Sequence, residues 1–206
     1  MRTEQAKVGA RGVDSLPLSQ GGTPAQAQGL KAAGIDFFVG YLGVLNSARL
    51  KALLDAGLAF MPVTLAARYD GAAAFVSCKA LGLPTGCTVW LDLEGKTAYD
   101  MPPQELIAKI NAWATAVIAG GYEPGLYIGS PQPLTADELY SLKVVRYWKA
   151  PSRVVDRDGK AWDGPACGFC CYQLWPSVTW RDTGVFVDVD FVQQDFRGRV
   201  PTWVKA

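Results

Sequence analysis

Short apolar runs alternate along the chain with segments in which apolar residues recur every three or four positions. The short runs are rich in β-branched and aromatic side chains and predict strands, whereas the longer spacing predicts amphipathic helices. We predict eight strands, at residues 12–14, 35–41, 59–64, 88–93, 125–128, 144–148, 171–175 and 185–191. We predict five helices, at residues 24–33, 47–56, 71–81, 103–119 and 135–141. This alternation is typical of a parallel β/α architecture.

The helix boundaries carry recognisable start signals. Pro24 follows Thr23, so that a proline occupies the first turn directly after a capping residue. Thr135 and Glu138 have the spacing of a capping box, in which each side chain bonds the backbone of the other residue. These signals support the helices that the periodicity predicts.

The fold class follows from the number and order of the elements. Residues 151–168 and 176–184 show no helical pattern, and we expect loops there. Eight strands and five helices in 206 residues fit a small, irregular (β/α)8 TIM-like barrel whose last helices are reduced to loops, with residues 1–206 forming a single domain. An open doubly wound sheet is the alternative. It would place a glycine-rich phosphate loop after the first strand, and residues 15–22 have neither G-x-G-x-x-G nor G-K-[ST].

Charge and hydropathy narrow the possible partners. Twenty Lys and Arg against 19 Asp and Glu give a net charge of +1, so no strong field attracts nucleic acid. No apolar run approaches the roughly 18 residues of a membrane span, and no secretory signal is recognisable. We therefore expect no membrane insertion, no nucleic-acid partner, and synthesis in the cytoplasm without a signal peptide. A monomer is a separate expectation, since charge balance does not bear on the oligomeric state.

Histidine is absent from the sequence, which excludes Ser-His-Asp and Cys-His nucleophile systems and histidine metal sites. Carboxylates must then carry the protons of any catalysis. The five cysteines are an odd number, so at least one thiol has no partner within the chain. Cys78 and Cys87 are too far apart for a zinc-ribbon pair, and we interpret the cysteines as buried thiols with room for one disulfide. We predict no metal and no cofactor.

Acidic residues end or interrupt three of the predicted strands. Asp92 and Glu94 are two positions apart, so both side chains of the fourth strand point to one face. If that face lines the barrel, burial and repulsion raise the pKa of one carboxyl and keep a proton available at neutral pH. Asp14 ends the first strand, and Asp188 and Asp190 share a face of the last. An ordinary half-exposed sheet edge is the alternative for each isolated pair.

Aromatic and amide side chains accompany the acids. Rings beside carboxylates and amides suit a sugar, which offers an apolar face and a rim of hydroxyl groups. The candidate substrate-binding residues near strand ends are Tyr41, Tyr127, Trp148, Gln173 and Trp175, together with Asp190. Each aromatic residue alone is equally compatible with a place in the core.

Taken together, these motifs resemble a known family. They are Gly12-Val13-Asp14, Trp90-Leu91-Asp92-Leu93-Glu94, Trp148-Lys149-Ala150, Tyr172-Gln173-Leu174-Trp175 and Val187-Asp188-Val189-Asp190-Phe191. In this order they look like family 25 of the glycoside hydrolases, and more closely like its divergent relatives, the glycoside-hydrolase-like domains of bacterial and phage proteins. The second-strand segment Phe37-Phe38-Val39-Gly40-Tyr41-Leu42-Gly43 differs from the usual family 25 pattern and suits the divergent branch.

The resemblance implies a muramidase that cleaves the β-1,4 bond after N-acetylmuramic acid in the glycan strand of peptidoglycan, without metal or cofactor. By position, Glu94 would be the general acid, Asp92 would orient the acetamido group or stabilise the oxocarbenium-like centre, and Asp14 and Asp188 would complete the acidic cleft. Asp190 falls where the family commonly has Asn, which leaves open whether Asp188 or Asp190 is functional. Retention, inversion and participation of the acetamido group also stay open.

Two further hypotheses accompany the enzyme. The same cleft could hold a glycan or cell-wall fragment without cutting it, or the barrel could be an accessory phage protein that has kept its shape. An enzyme of this kind would act at the bacterial cell wall after delivery by a phage lysis system, as an endolysin, or by a secretion machine.

Overall fold

The structure is a computed structural model that describes residues 1–65, 69–129, 132–151, 155–160, 168–180 and 185–206. Within these ranges, residues 97 and 175–180 are described by their backbone alone. None of the helices in the described ranges is long and apolar enough to cross a membrane.

Strands and helices alternate through most of the chain. The strands are β1 (Arg2–Gln5), β2 (Arg11–Asp14), β3 (Phe37–Tyr41), β4 (Ala59–Leu65), β5 (Thr88–Leu93), β6 (Glu123–Ile128), β7 (Arg146–Lys149), β8 (Cys171–Trp180), β9 (Val185–Val192) and β10 (Thr202–Lys205). The helices are α1 (Leu16–Gly21), α2 (Pro24–Ala32), α3 (Ser47–Asp55), α4 (Gly71–Ala80), α5 (Lys96–Tyr99), α6 (Pro103–Ala119) and α7 (Ala136–Tyr140).

Strands β2 to β9 close into an eight-stranded barrel with helices between the strands, as the sequence predicts. Neighbouring strands from β2 to β8 pair in parallel. The closing strand β9 instead runs antiparallel to both β8 and β2. The direction of this strand was not predicted from the sequence. A short connection joins β8 to β9, and parallel neighbours would need a long crossover.

Strands β1 and β10 add an element that the apolar pattern does not predict. They pair antiparallel along their whole length, and β10 pairs with the start of β4 through Val204 and Phe60. The side chain of Trp203 is buried against Phe37, with ring centroids 5.9 Å apart. The two ends of the chain thus close the barrel at the amino ends of its strands.

The loop predicted at residues 176–184 was wrong for its first half. The backbone of β8 continues as a strand to Trp180, and its pairing with β9 shifts register between Leu174 and Val178. Pro176 lies within this irregularity. Because proline has no N–H to donate to a ladder, it is tolerated at such a point and does not end the strand. Residues 181–184 and parts of the predicted loop 151–168 lie outside the described residues.

The predicted helix starts are confirmed by their hydrogen bonds. Thr23 and Gln26 form a reciprocal capping box at α2, and Thr135 and Glu138 form another at α7. The short helices α1 and α5 were not predicted. Each has too few turns for apolar periodicity to be recognisable.

Apolar side chains form two layers separated by the barrel wall. One layer fills the space between the strands and the helices. The other fills the barrel interior, where Phe37, Met61, Trp90 and Trp203 are almost completely buried. Aromatic rings therefore occupy the lower and middle parts of the barrel, and its upper end, at the carboxyl ends of the parallel strands, is where the acids lie.

Gly12 provides a test of this interior packing. A Cβ atom at Gly12 would lie 2.2 Å from the ring of Phe37, which is fully buried and has no space to move. We expect Gly12→Ala to lower the free energy of unfolding by about 1 to 3 kcal/mol, measured by urea denaturation. Gly29→Ala in α2 is the matched control, since its Cβ would meet nothing within 4 Å. It should raise stability by about 0.5 to 1 kcal/mol. Equal effects of the two substitutions would contradict this packing.

Candidate active site

Asp14 and Asp188 lie next to each other on two neighbouring strands. Asp14 is the last residue of β2, and the antiparallel register of β9 places Asp188 directly opposite it. Residues paired in this way have Cα atoms about 4.5 to 5.5 Å apart and side chains on the same face. Because β9 runs in the reverse direction, its first half, and not its carboxyl end, reaches the upper end of the barrel.

Asp92 and Glu94 come from β5. Leu91 and Leu93 pack in the layer between barrel and helices, and Trp90 packs in the interior. The alternation of the strand therefore directs Asp92 inwards, where it is buried. Glu94 follows the last residue of the strand and is exposed at the mouth of the barrel. Gly95 then turns the chain into α5 with a φ of 85°, a conformation that strongly favours glycine.

The four acids Asp14, Asp92, Glu94 and Asp188 act on one another electrostatically. Burial, followed by the charges of Asp188, Asp92 and Glu94, raises the pKa of Asp14 well above its ordinary value. Burial and the charge of Glu94 raise the pKa of Asp92 to about 8. Burial and the charge of Asp188 raise the pKa of Glu94. The structure thus brings together the acids from all three strands, and their mutual repulsion favours retention of protons.

Aromatic and amide groups form the floor beneath these acids. The Tyr127 hydroxyl donates a hydrogen bond of 2.8 Å to Oε1 of Gln173. The ring of Trp148 lies edge-on to that of Tyr127, with centroids 4.6 Å apart, and also to that of Trp90, at 5.7 Å. Tyr127, Trp148 and Gln173 are each less than a tenth exposed. They shape the bottom of the cleft and leave little of their surface open to a ligand.

Tyr41 lies at the rim, and Trp175 is not described. Tyr41 is half-buried at the end of β3, where its backbone N–H donates to Oγ of Ser19. Burial and the charges of the acids, Asp14 first, raise the pKa of its hydroxyl. Tyr41 therefore faces the carboxyl groups. The side chain of Trp175 lies outside the described residues, so the prediction for it stays a prediction.

Asp190 lies deeper than the other acids. It pairs in register with Gly12 and with Gln173, one inward-facing position below Asp188 and Asp14. Its side chain is fully buried. The sequence-based expectation that Asp190 contacts substrate does not fit this position, because the residue offers a ligand no surface.

Two tyrosines near the acids were not among the predicted site residues. The Tyr69 hydroxyl is buried and has no hydrogen-bond partner among the described residues, and burial followed by the charge of Asp92 raises its pKa to about 12. Tyr99, on α5, lies within the electrostatic influence of Glu94 and Asp92. The predicted aromatic residues lie near the ends of the predicted strands, whereas Tyr69 and Tyr99 lie several residues after the ends of β4 and β5. Their short spacing after β4 and β5 was the one sequence signal that could have pointed to them.

Gly129 lies against the side chain of Glu94. A Cβ atom at this position would be 2.8 Å from the Cβ of Glu94, 3.3 Å from its Oε2 and 3.3 Å from the hydroxyl of Tyr99. The backbone N–H of Gly129 also donates to the carbonyl of Leu93 at 3.2 Å. Glu94 is therefore confined between the chain after β6 and Tyr99, and its position depends on the absence of a side chain at residue 129.

The cysteines lie away from this cleft or beneath it. Cys78, Cys87, Cys170 and Cys171 are buried free thiols, and burial raises the pKa of each. Cys167 lies outside the described residues. Within the described part of the chain, no group of three or more Cys, Asp or Glu side chains is arranged to hold a metal ion.

The sequence of this closed β/α barrel, with its carboxylate cluster at the upper end, places it in the class of glycoside-hydrolase-like domains. More specifically, residues 10–186 match the model of the Rv2525c-like, glycoside hydrolase-like domain, and the chain belongs to this family. No curated protein matches the sequence.

Two solved structures share the fold. An uncharacterized protein of B. stearothermophilus superposes with a TM-score of 0.65 and 19% identity, over 90% of this chain and 96% of that one. GHIP, a glycosyl hydrolase 25 of Streptococcus pneumoniae described as a virulence factor participating in host cell invasion, superposes with a TM-score of 0.59 and 12% identity, over 89% of this chain and 87% of that one. Both likenesses are of fold, and the family membership of the chain rests on the matched domain model.

The raised pKa of Asp92 makes stability depend on pH. The pKa of Asp92 is about 8 in the folded protein, compared with an ordinary value of 3.8. The contribution of this group to stability is therefore complete below about pH 4 and is lost as the pH rises to about 8. We expect the free energy of unfolding to fall between about pH 4 and pH 8, and the fall to be smaller in Asp92→Asn by at least about 1 kcal/mol.

Urea unfolding at several pH values measures this difference. Asp55→Asn serves as the control, since Asp55 lies exposed on α3 and pairs with Lys51. Its profile should follow that of the wild type. Parallel profiles for the wild type and Asp92→Asn would contradict the buried, protonated state of Asp92.

Proposed function

We propose that this protein is a muramidase that hydrolyses the β-1,4 bond between N-acetylmuramic acid and N-acetylglucosamine in peptidoglycan, with Glu94 as the general acid. The observation that carries the proposal is the position of Glu94. It is exposed at the mouth of the barrel, and its pKa is raised by partial burial and by the charge of Asp188. Membership of a glycoside hydrolase-like family and the shared fold of a family 25 hydrolase support the choice of a glycan substrate.

In this mechanism the exposed and the buried carboxyl groups have different roles. Glu94 gives its proton to the glycosidic oxygen as the bond from that oxygen to the anomeric carbon breaks, and the sugar leaves as an alcohol. Water supplies the new oxygen at the anomeric carbon, and the proton released from it restores the protonated acid. The remaining carboxylate charge of Asp14 and Asp188 stabilises the positive charge that develops on the sugar ring.

Asp92 acts beside the reacting bond. Because its pKa is about 8, it is largely protonated at neutral pH and is able to donate a hydrogen bond. A protonated Asp92 suits the carbonyl oxygen of the 2-acetamido group, which it would orient. Under this proposal the enzyme acts at the bacterial cell wall, reached through a phage lysis system or a secretion machine.

Digestion of purified, de-O-acetylated peptidoglycan tests the proposal. The wild type should release disaccharide-peptides that end in reducing muramic acid, identified by mass spectrometry. Glu94→Gln should lower the rate by at least about 100-fold, since general acid catalysis commonly contributes 10²- to 10⁴-fold. The control is Glu105→Gln, on the surface of α6, where Glu105 pairs with Lys109. It should retain the wild-type rate.

Other outcomes separate the competing hypotheses. Co-sedimentation of the wild type with peptidoglycan, without release of fragments, would overturn the enzyme in favour of a non-catalytic binding module. Fragment release at the parental rate by Glu94→Gln would overturn the assignment of the acid. If the wild type neither binds peptidoglycan nor releases fragments from it, peptidoglycan is excluded as the ligand.

Gly129→Ala tests whether the confinement of Glu94 matters for catalysis. The added methyl group would lie 2.8 Å from the Cβ of Glu94 and must displace that side chain. A displacement of about 1 Å costs as much as 100-fold in rate, and we expect kcat to fall by about 10- to 100-fold. Gly21→Ala, at the end of α1, meets nothing within 4 Å and is the control. Unchanged kcat in a folded Gly129→Ala variant would contradict the confinement.

A further inference from the structure

Asp190 is a buried acid that the proposed chemistry does not use. Its side chain is fully buried, and neither carboxyl oxygen accepts a hydrogen bond of standard geometry from the described residues. Oδ2 of Asp14 is also buried without such a donor. A buried carboxylate with no donor and no counterion among the described residues is costly, and protonation removes this cost.

The partner of Asp190 is another carboxyl group. The register of β2 and β9 places Asp190 opposite Gly12 and Asp14 opposite Asp188, so that Asp14 and Asp190 occupy successive inward-facing layers of one strand pair. At this spacing, a hydrogen bond between the two carboxyl groups would satisfy buried oxygens that have no other donor among the described residues. Such a bond requires a proton on one of the two groups, because ionised carboxylates have only acceptors.

The surroundings of Asp190 place that proton on it. Asp188 on its own strand, Tyr127 on β6 and Cys171 on β8 interact with it electrostatically, and none of them carries a positive charge. Trp148 on β7 offers an indole N–H, which lowers the pKa of Asp190, whereas burial and the charges of the other acids raise it more strongly. Asp14 is slightly exposed at the cleft, so its ionised form is the less costly of the two.

We propose that Asp190 is a positioning residue whose protonated carboxyl donates a hydrogen bond to Asp14 and holds the Asp14 carboxylate in a fixed orientation at the floor of the cleft. The carbonyl oxygen of Asp190 is then free to accept from the Trp148 indole. An effect of this pair on the bound sugar rests on the proposed function of Asp14. The protonation of Asp190 and its effect on Asp14 do not rest on that function.

Carbon-detected NMR of the aspartate carboxyl groups tests this protonation. The Cγ signal of Asp190, assigned by its loss in Asp190→Asn, should keep the chemical shift of a protonated acid up to at least about pH 7. The Asp188 signal, assigned in the same way with Asp188→Asn, serves as a reference two residues away on the same strand. Titration of Asp190 near pH 4 would overturn the proposal.

Two substitutions separate positioning from simple packing. Asp190→Asn keeps a neutral donor of the same shape, whereas Asp190→Leu is similar in size and has no donor. The Cγ signal of Asp14 should titrate about one pH unit or more higher in Asp190→Leu than in Asp190→Asn, because the donor stabilises the Asp14 carboxylate. Equal midpoints would overturn the proposal even if both variants are destabilised. If Asp190→Leu fails to fold, the wild-type titration of Asp190 decides alone.

These measurements are independent of hydrolysis. A protonated Asp190 and unequal Asp14 midpoints, found in a protein that cuts no peptidoglycan, would establish the positioning pair and defeat only the proposed activity. If the protein hydrolyses peptidoglycan, the acid limb of the pH profile of kcat should lie at higher pH in Asp190→Leu than in Asp190→Asn. Coincident acid limbs would show that the pair has no part in the reaction.

Discussion

The antiparallel closing strand β9 determines which acidic side chains meet at the upper end of this barrel. Pairing with β2 on one side and β8 on the other, it completes the wall and brings its own acids to the end of the barrel where the parallel strands terminate. Asp188 reaches the rim beside Asp14, and Asp190 lies one layer lower. A parallel strand with the same residues would have met its neighbours in a different register. The carboxylate cluster therefore depends on strand direction as much as on residue type.

Desolvation and like-charge repulsion then set the chemistry of the cluster. Asp14, Asp92 and Glu94 all have raised pKa values, with burial as the largest cause in each case. In each case, burial and the charges of the other acids favour the protonated form. The aromatic floor contributes to this effect, because Tyr127, Trp148 and Trp90 exclude water from the interior below the acids. Graded burial, from Asp190 through Asp92 to Glu94, gives chemically identical groups different affinities for a proton.

Much of this arrangement was predictable from the sequence, because period-two alternation constrains side-chain direction. The inward position of Asp92 and the outward positions of Leu91 and Leu93 follow from spacing alone. Strand direction has no such signature. A run such as Val187 to Phe191 has the same alternation whether its strand is parallel or antiparallel, and for this reason the depth of Asp190 was not foreseen.

Contacts between segments distant in sequence were also beyond prediction. Gly129 and Tyr99 confine Glu94 from two different elements, and neither residue belongs to a motif around the acid. Strand β1 is polar, and β10 has only two apolar residues, Trp203 and Val204, so neither is long enough to show apolar periodicity. They form because each provides the hydrogen-bond partner of the other, a relation between residues some 200 positions apart.

The pairing of β1 with β10 also fixes how the molecule would be presented when tethered. Arg2 and Lys205 are register partners, and β10 meets β4 near its first residue, at the end of the barrel opposite the acids. A linker attached at either end of the chain would therefore emerge from the base of the barrel and leave the cleft facing away from its anchor. Because Arg2 and Lys205 are already neighbours, a short bridge could also join the two ends without disturbing the strand pairings that build the cleft.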